Sequence, residues 1–151
     1  MNKAFIREPD ETSDRNCPRC GSLGVAVAAE TLDAQLSGAA RRLVAESAWF
    51  CPFARCEVIY FDAFERVVNA ETFGKPVYPK DPDAPICSCF GLGIDEIEQD
   101  IAEGGVARVR ELVNKAKTPT ARCALLAPSG QCCVPEVQRA FMQLRAARQS
   151  P

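Results

Sequence analysis

Along this chain the spacing of apolar residues changes about halfway. In the first half they fall in short continuous runs, Gly24-Val25-Ala26-Val27-Ala28, Ala48-Trp49-Phe50 and Val58-Ile59-Tyr60-Phe61, and runs of this length predict strands. Between the first two, Leu32, Leu36, Ala39 and Leu43 recur near the helical interval, which predicts a short helix over 31–43. In the second half the interval is helical throughout. Ile94, Ile97 and Ile101 make one stripe, Val106, Val109, Leu112, Val113 and Ala116 a second, and Val137, Ala140, Phe141 and Leu144 a third. Gly93 stands at an N-cap position with Asp95 and Glu96 in the first turn, Gly104-Gly105 breaks the first pair of helices, Thr118-Pro119 ends the second, and Pro135 opens the third, all in keeping with helix punctuation. Asp95, Glu96, Glu98, Asp100 and Glu103 read as a solvated helix face.

The two patterns meet at residues 74–85, GKPVYPKDPDAP, where four prolines alternate with charges. Such a composition favours extended, solvated chain. The expected organisation is α+β, with a small β-rich unit over 1–73, a Pro-rich linker over 74–85 and a helical unit over 86–151; a proline-rich surface loop inside one domain is the alternative. Units this small usually need staples such as metals.

Cysteine usage supplies the staples. The chain has nine cysteines and no histidine, so metal binding has to rest mainly on thiolate sulfur, which favours zinc, iron-sulfur clusters or copper(I). A disulfide framework would need an oxidising compartment. Residues 1–16, MNKAFIREPDETSDRN, carry acids and no signal-like apolar run, and nothing approaches a membrane span, so a cytoplasmic protein with reduced thiols and no membrane insertion is expected. A formal charge of −2 with mixed signs argues against nucleic acid as a partner.

Eight of the nine cysteines divide into two sets of four. In Cys17-Pro18-Arg19-Cys20-Gly21 two intervening residues let both sulfurs face one ion, and Cys51-Pro52-Phe53-Ala54-Arg55-Cys56 lies between two predicted strands as a second metal-binding turn. Four thiolates without an open position make a structural zinc site. The second set is Cys87, Cys89, Cys123 and one of Cys132 and Cys133. Cys87-Ser88-Cys89 has a spacer unusual for zinc but workable for two thiolates reaching one iron of a cluster. The segment 123–135 reads as a turn-rich loop that delivers its cysteines to the start of the last helix, where the dipole and unpaired N–H groups favour thiolate.

The ordered motifs CSC, a long helical gap, and cysteines opening a further helix resemble the bacterioferritin-associated ferredoxin type of 2Fe-2S domain. Together with CPRCG, FCPFARCEVIYF and PSGQCC they resemble the N-terminal zinc and 2Fe-2S region of CopZ-type copper chaperones, over about residues 15–145. The resemblance implies a small zinc-stapled β-rich unit followed by a helical 2Fe-2S-binding unit. It implies Zn2+ on Cys17, Cys20, Cys51 and Cys56, and a 2Fe-2S cluster on Cys87, Cys89, Cys123 and either Cys133, nearer the helix start, or Cys132. The family's C-terminal copper domain carries an M-x-C-x-x-C motif; this sequence reaches Pro151 without one, which makes copper delivery the part of that function least expected here.

The expected function is one-electron transfer linked to metal handling, such as reduction of copper(II) or of a protein partner. The alternatives are a copper(I) or other soft-metal chaperone, with a metal-transport protein as partner, and an interaction module in which cluster and zinc are structural. No catalytic constellation of an enzyme is evident. Loading both sites would take the formal charge from −2 to about −6, which favours a basic partner surface.

Overall fold

The three apolar runs form strands, and a fourth completes an antiparallel sheet. The computed structural model describes residues 14–118 and 122–149; the N-terminal stretch through Ser13 and Pro119, both read above, lie outside them. Strands β1 (Val25–Val27), β2 (Ala48–Phe50), β3 (Val58–Phe61) and β4 (Val67–Asn69) pair in the order β1-β2-β3-β4, with Ala26 opposite Trp49, Phe50 opposite Tyr60 and Phe61 opposite Val67. Alternation along β2 separates two faces. Ala48 and Phe50 face a core with Val27, Leu32, Tyr60, Val68 and Phe73. Trp49 packs with Cys17, Cys51, Cys56, Val58 and Phe61 on the other. A sheet apolar on both faces explains why its strands read as unbroken runs, and each fully buried side chain of this size contributes about 1.5–3 kcal/mol.

The structure corrects the helix expected over 31–43. It splits into α1 (Ala29–Gln35) and α2 (Gly38–Arg41), because Leu36 and Ser37 adopt extended backbone, with ψ of 142° and 154°. Leu32 and Leu36 are buried, but Leu43, placed on the same stripe from the sequence, is exposed. The strand β4 was not predicted. It exists because the buried Asp62 carboxylate organises the turn before it, accepting from the N–H groups of Phe64 and Arg66 and from Arg66 Nε. A short helix α3 (Ala70–Phe73) follows, capped by Asn69 Oδ1 accepting from Thr72 N–H at 2.9 Å.

Residues 74–85 are only partly solvated. Val77 and Ala84 are buried, and Val77 belongs to the core above the sheet.

The second half forms α4 (Ile94–Glu103), α5 (Ala107–Ala116), the single-turn α6 (Cys123–Leu126) and α7 (Val134–Gln149). Helices α4, α5 and α7 pack mutually around Ile97, Val109, Leu112, Val137, Ala140 and Phe141, so the three predicted stripes meet in one core. At the start of α4 the Gly93 N–H donates to Glu96 Oε2 at 2.8 Å, which gives Glu96 a capping role. Asp100 overturns its assignment to a solvated face. It is buried, accepting from the N–H groups of Arg108 and Val109 at 3.2 and 3.0 Å and from Arg108 Nη1 at 3.0 Å. The acid therefore ties the end of α4 to the start of α5. No described helix is long and apolar enough to cross a membrane.

Candidate metal centres

The first thiol set is built by two turns that bracket the sheet. Cys17 accepts at its carbonyl from Gly21 N–H at 2.9 Å, and its own N–H donates to Ser22 O at 2.8 Å. This closes a tight knuckle in which Gly21 takes a φ of 78°, the left-handed region open to glycine. The second turn joins β2 to β3: Cys51 N–H donates to Ile59 O at 3.0 Å and Cys56 N–H to Phe53 O at 3.1 Å. Strand pairing thus sets Cys51 and Cys56 beneath the knuckle.

The four sulfurs of Cys17, Cys20, Cys51 and Cys56 all lie within 4.8 Å of one another. Cys17 and Cys56 stand 3.9 Å apart and Cys20 and Cys51 3.5 Å. A tetrahedral zinc with Zn–S bonds of about 2.3 Å needs sulfur–sulfur edges of about 3.8 Å, so the group fits that ion. Its protonation already favours one anion: burial raises Cys20, yet the Ser22 hydroxyl and N–H and the neighbouring thiols bring it down to about 6. Burial pushes Cys51 up to about 12 and raises Cys56. A bound cation would reverse that penalty for the raised thiols.

The second set repeats the knuckle. Gly91 N–H donates to Cys87 O at 2.8 Å, Cys87 N–H to Leu92 O at 3.0 Å, and Gly91 has a φ of 75°. In both sites a glycine four residues beyond the leading cysteine makes the same turn, visible in sequence as CPRCG and CSCFG. The different spacing of the second cysteine hides that parallel in the sequence. Phe90 N–H also points at Cys87 Sγ, 3.4 Å away.

From there the sites diverge. Cys89 Sγ lies 3.8 Å from Cys123 Sγ, while Cys87 hydrogen-bonds with the buried Cys133. The close contacts run across the CSC motif to the distant cysteines, whereas the sequence suggested that Cys87 and Cys89 share one iron. Among the described residues, only the first set gathers three or more potential ligand atoms within 4.8 Å; the second is two pairs. Its anion is Cys87, held down to about 6 by the Cys133 thiol and then by the N–H groups of Phe90, Cys89 and Leu92. Its partner Cys133 is raised by that same bond and by burial, and burial raises Cys123 to about 11. Cys132 is exposed.

A sheet unit carrying a four-thiol knot, joined to a three-helix unit carrying two thiol pairs, defines a small metal-binding protein. The model of the zf_CopZ family, described as a zinc binding domain, matches residues 14–73, the span that holds the sheet and the first set. The X-ray structure of the Archaeoglobus fulgidus CopZ N-terminal domain is similar in fold, with a TM-score of 0.68 at 23% identity, covering 83% of this chain and 96% of that one. No curated protein matches the chain. The fold is CopZ-like over 83% of the chain, and residues 14–73 are similar to the CopZ-type zinc binding domain.

Proposed function

We propose that the protein is a cytoplasmic two-site metalloprotein for one-electron transfer linked to metal handling. Its first unit, over 1–73, holds Zn2+ on Cys17, Cys20, Cys51 and Cys56. After the 74–85 segment, its second unit, over 86–151, holds a 2Fe-2S cluster on Cys87, Cys89, Cys123 and Cys133. The observation that carries the second assignment is the paired arrangement: two thiol pairs too dispersed for one tetrahedral ion suit a two-iron unit with two thiolates per iron. The burial of Cys133 and its bond to Cys87 favour it over the exposed Cys132 as the fourth ligand.

A bound 2Fe-2S cluster supplies reversible one-electron chemistry. The chain's own groups do the rest. The N–H groups of Phe90, Cys89 and Leu92 stabilise negative charge at Cys87 sulfur, and such donors raise the potential of a centre they face. Filling all four thiolate positions leaves none for a substrate, which suits passage of an electron to a protein partner or to copper(II).

The test is composition and colour. Protein isolated without air should contain about one zinc, two irons and two labile sulfides per chain and show visible absorption that bleaches on reduction. Colourless protein with zinc and no iron removes the cluster assignment. A second reading, copper(I) handling, is favoured by one observation: the exposed Cys132 lines a cleft of about 530 Å3 between the units, beside Cys133, Ser88 and Tyr78. Copper(I) titration separates the two, since this reading requires Cys132→Ser to lose a bound equivalent.

A further inference from the structure

We propose that the sheet unit is the seat on which the second thiol set is assembled, with Tyr60, Thr31 and Gln35 as positioning residues that hold the 123–133 loop and so set Cys123 and Cys133 against Cys89 and Cys87. The proposal rests on the cluster reading for the identity of the metal, and on geometry for the rest.

The loop has little of its own to hold it. Its local backbone bonds are those of Leu125 and Leu126 N–H to Arg122 O, Ala127 N–H to Cys123 O and Gly130 N–H to Ala127 O, enough for one helical turn and one bend. Three consecutive outward bonds supply the fixed position. Thr31 Oγ1 donates to Ala124 O, Gln35 Nε2 donates to Leu125 O at 2.7 Å, and the Tyr60 hydroxyl donates to Pro128 O. All three donors belong to the first unit, and all three acceptors lie between Cys123 and Cys133. These carbonyls fall at a helix end and a turn, where the backbone has no ladder partner of its own.

The donors are themselves fixed. Tyr60 and Thr31 are buried, and the Tyr60 ring is held edge-on by Phe50 and Phe73 at centroid distances of 6.1 and 5.9 Å. Burial also raises the phenol, so it remains a neutral donor. Contact at the loop is close: Gly130 has a φ of 71°, and a Cβ there would stand 2.9 Å from Thr31 Oγ1 and 3.3 Å from its methyl. Only glycine allows the loop to lie against Thr31 in this way. Finally, Tyr60 sits on β3, which begins two residues after Cys56, and Val58 N–H points at Cys56 Sγ, 3.5 Å away. One short stretch of chain therefore leads from a thiol of the first site straight into the strand that carries the anchor of the second.

Tyr60→Phe and Thr31→Val each delete one hydroxyl at nearly constant volume, and Gln35→Ala deletes the third donor at the surface. In the zinc-loaded, iron-free full chain, amide hydrogen exchange of residues 123–133 should speed roughly fivefold for each hydroxyl removed, with zinc content and exchange of the sheet amides unchanged. After reconstitution with ferrous iron and sulfide, iron release to a chelator should accelerate by a similar factor, and the visible circular dichroism of the centre should change. Wild-type exchange and release rates in Tyr60→Phe, Thr31→Val and their combination would overturn the proposal, as would a uniform acceleration that includes the sheet. If Tyr60→Phe does not fold, Thr31→Val and Gln35→Ala carry the test. A wild-type chain that takes up no iron removes the cluster reading, while the exchange measurement still decides the seating.

Discussion

The two thiol sets start from the same knuckle and end as different structures. Cys17 and Cys87 each open a turn closed by a glycine at positive φ. The first site is then finished within one sheet, by the β2–β3 turn that brings Cys51 and Cys56. The second takes its remaining thiols from Cys123 and Cys133, on a segment bound to the other unit through Tyr60, Thr31 and Gln35. Local closure yields a compact tetrahedral knot; closure through tertiary contacts yields two separated pairs. Dependence between the sites should therefore run one way. Damage to the first site should reach the second, whereas damage to the second should leave the first intact.

Cys51→Ser puts that asymmetry under the largest strain. Cys51 is completely buried in one cluster with the stacked Trp49 and Phe61 rings, so the variant removes one thiol of the proposed zinc site from a packed face. Because zinc binding free energy is folding free energy in small metal-stapled units, zinc should fall well below one per chain and the melting midpoint should drop by roughly 10 °C or more. Iron retention should fall with it. Metal analysis with thermal unfolding checks this, and a variant with full zinc and an unchanged midpoint would break the four-thiol site.

The reverse experiment is the pair Cys133→Ser and Cys132→Ser. The first should abolish stoichiometric iron and sulfide while leaving zinc at about one per chain, and the second should leave both metals in place. Iron content per chain is the readout. Equal losses in the two variants would mean that the adjacent thiols substitute for each other, and zinc loss in Cys133→Ser would end the one-way dependence.

Much of this comparison was legible beforehand, and the parts that were not share a cause. Residues 48–50 and 58–61 announced strands because both faces of the sheet are buried, and Ile97, Val109 and Val137 announced helices because each helix has one buried side. The first cysteine set was legible from spacing, down to its four residues, whereas the second stands in the structure as two pairs. The strand at Val67, the burial of Asp100 and the pairing of Cys89 with Cys123 were not legible. Each depends on a partner supplied by folding: Asp62 for the turn before β4, Arg108 for Asp100, and the Tyr60 and Thr31 donors for the loop that carries Cys123. Asp100 did leave a trace, three residues after Ile97 and one before Ile101 on the apolar stripe. Its acidity outweighed its position.

Asp100 provides a smaller perturbation confined to the second unit. Burial raises its carboxyl, but the N–H of Val109 and the Arg108 side chain and N–H outweigh this and hold it below the ordinary carboxylate range. A depressed folded value means that its stabilisation is complete above the unfolded pKa of about 3.9 and is lost as pH falls through the folded value. Asp100→Asn should cost about 2–3 kcal/mol at pH 7, and the difference from wild type should shrink below about pH 4. Urea unfolding of Asp100→Asn against wild type in the same buffer, at pH 7 and at pH 3.5, measures both. A zinc affinity that changes in parallel would show that the helical unit also supports the sheet, against the one-way dependence.

Lys80 tests the same point from the segment between the units. Its ammonium donates to Phe53 O at 2.8 Å and Cys56 O at 2.9 Å, closing the Cys51–Cys56 turn from outside and lowering Cys51 by its charge. An inert linker would contribute nothing to the zinc site. Since the ammonium bonds two carbonyls in a partly exposed position, Lys80→Met should cost about 1 kcal/mol, seen as zinc transfer to a chelator about fivefold faster than wild type. The apolar stem is retained in methionine, so packing around Val77 and Ala84 should hold and the second set should keep its iron. Unchanged zinc release would reduce residues 74–85 to a tether and leave the first site closed by its own two turns alone.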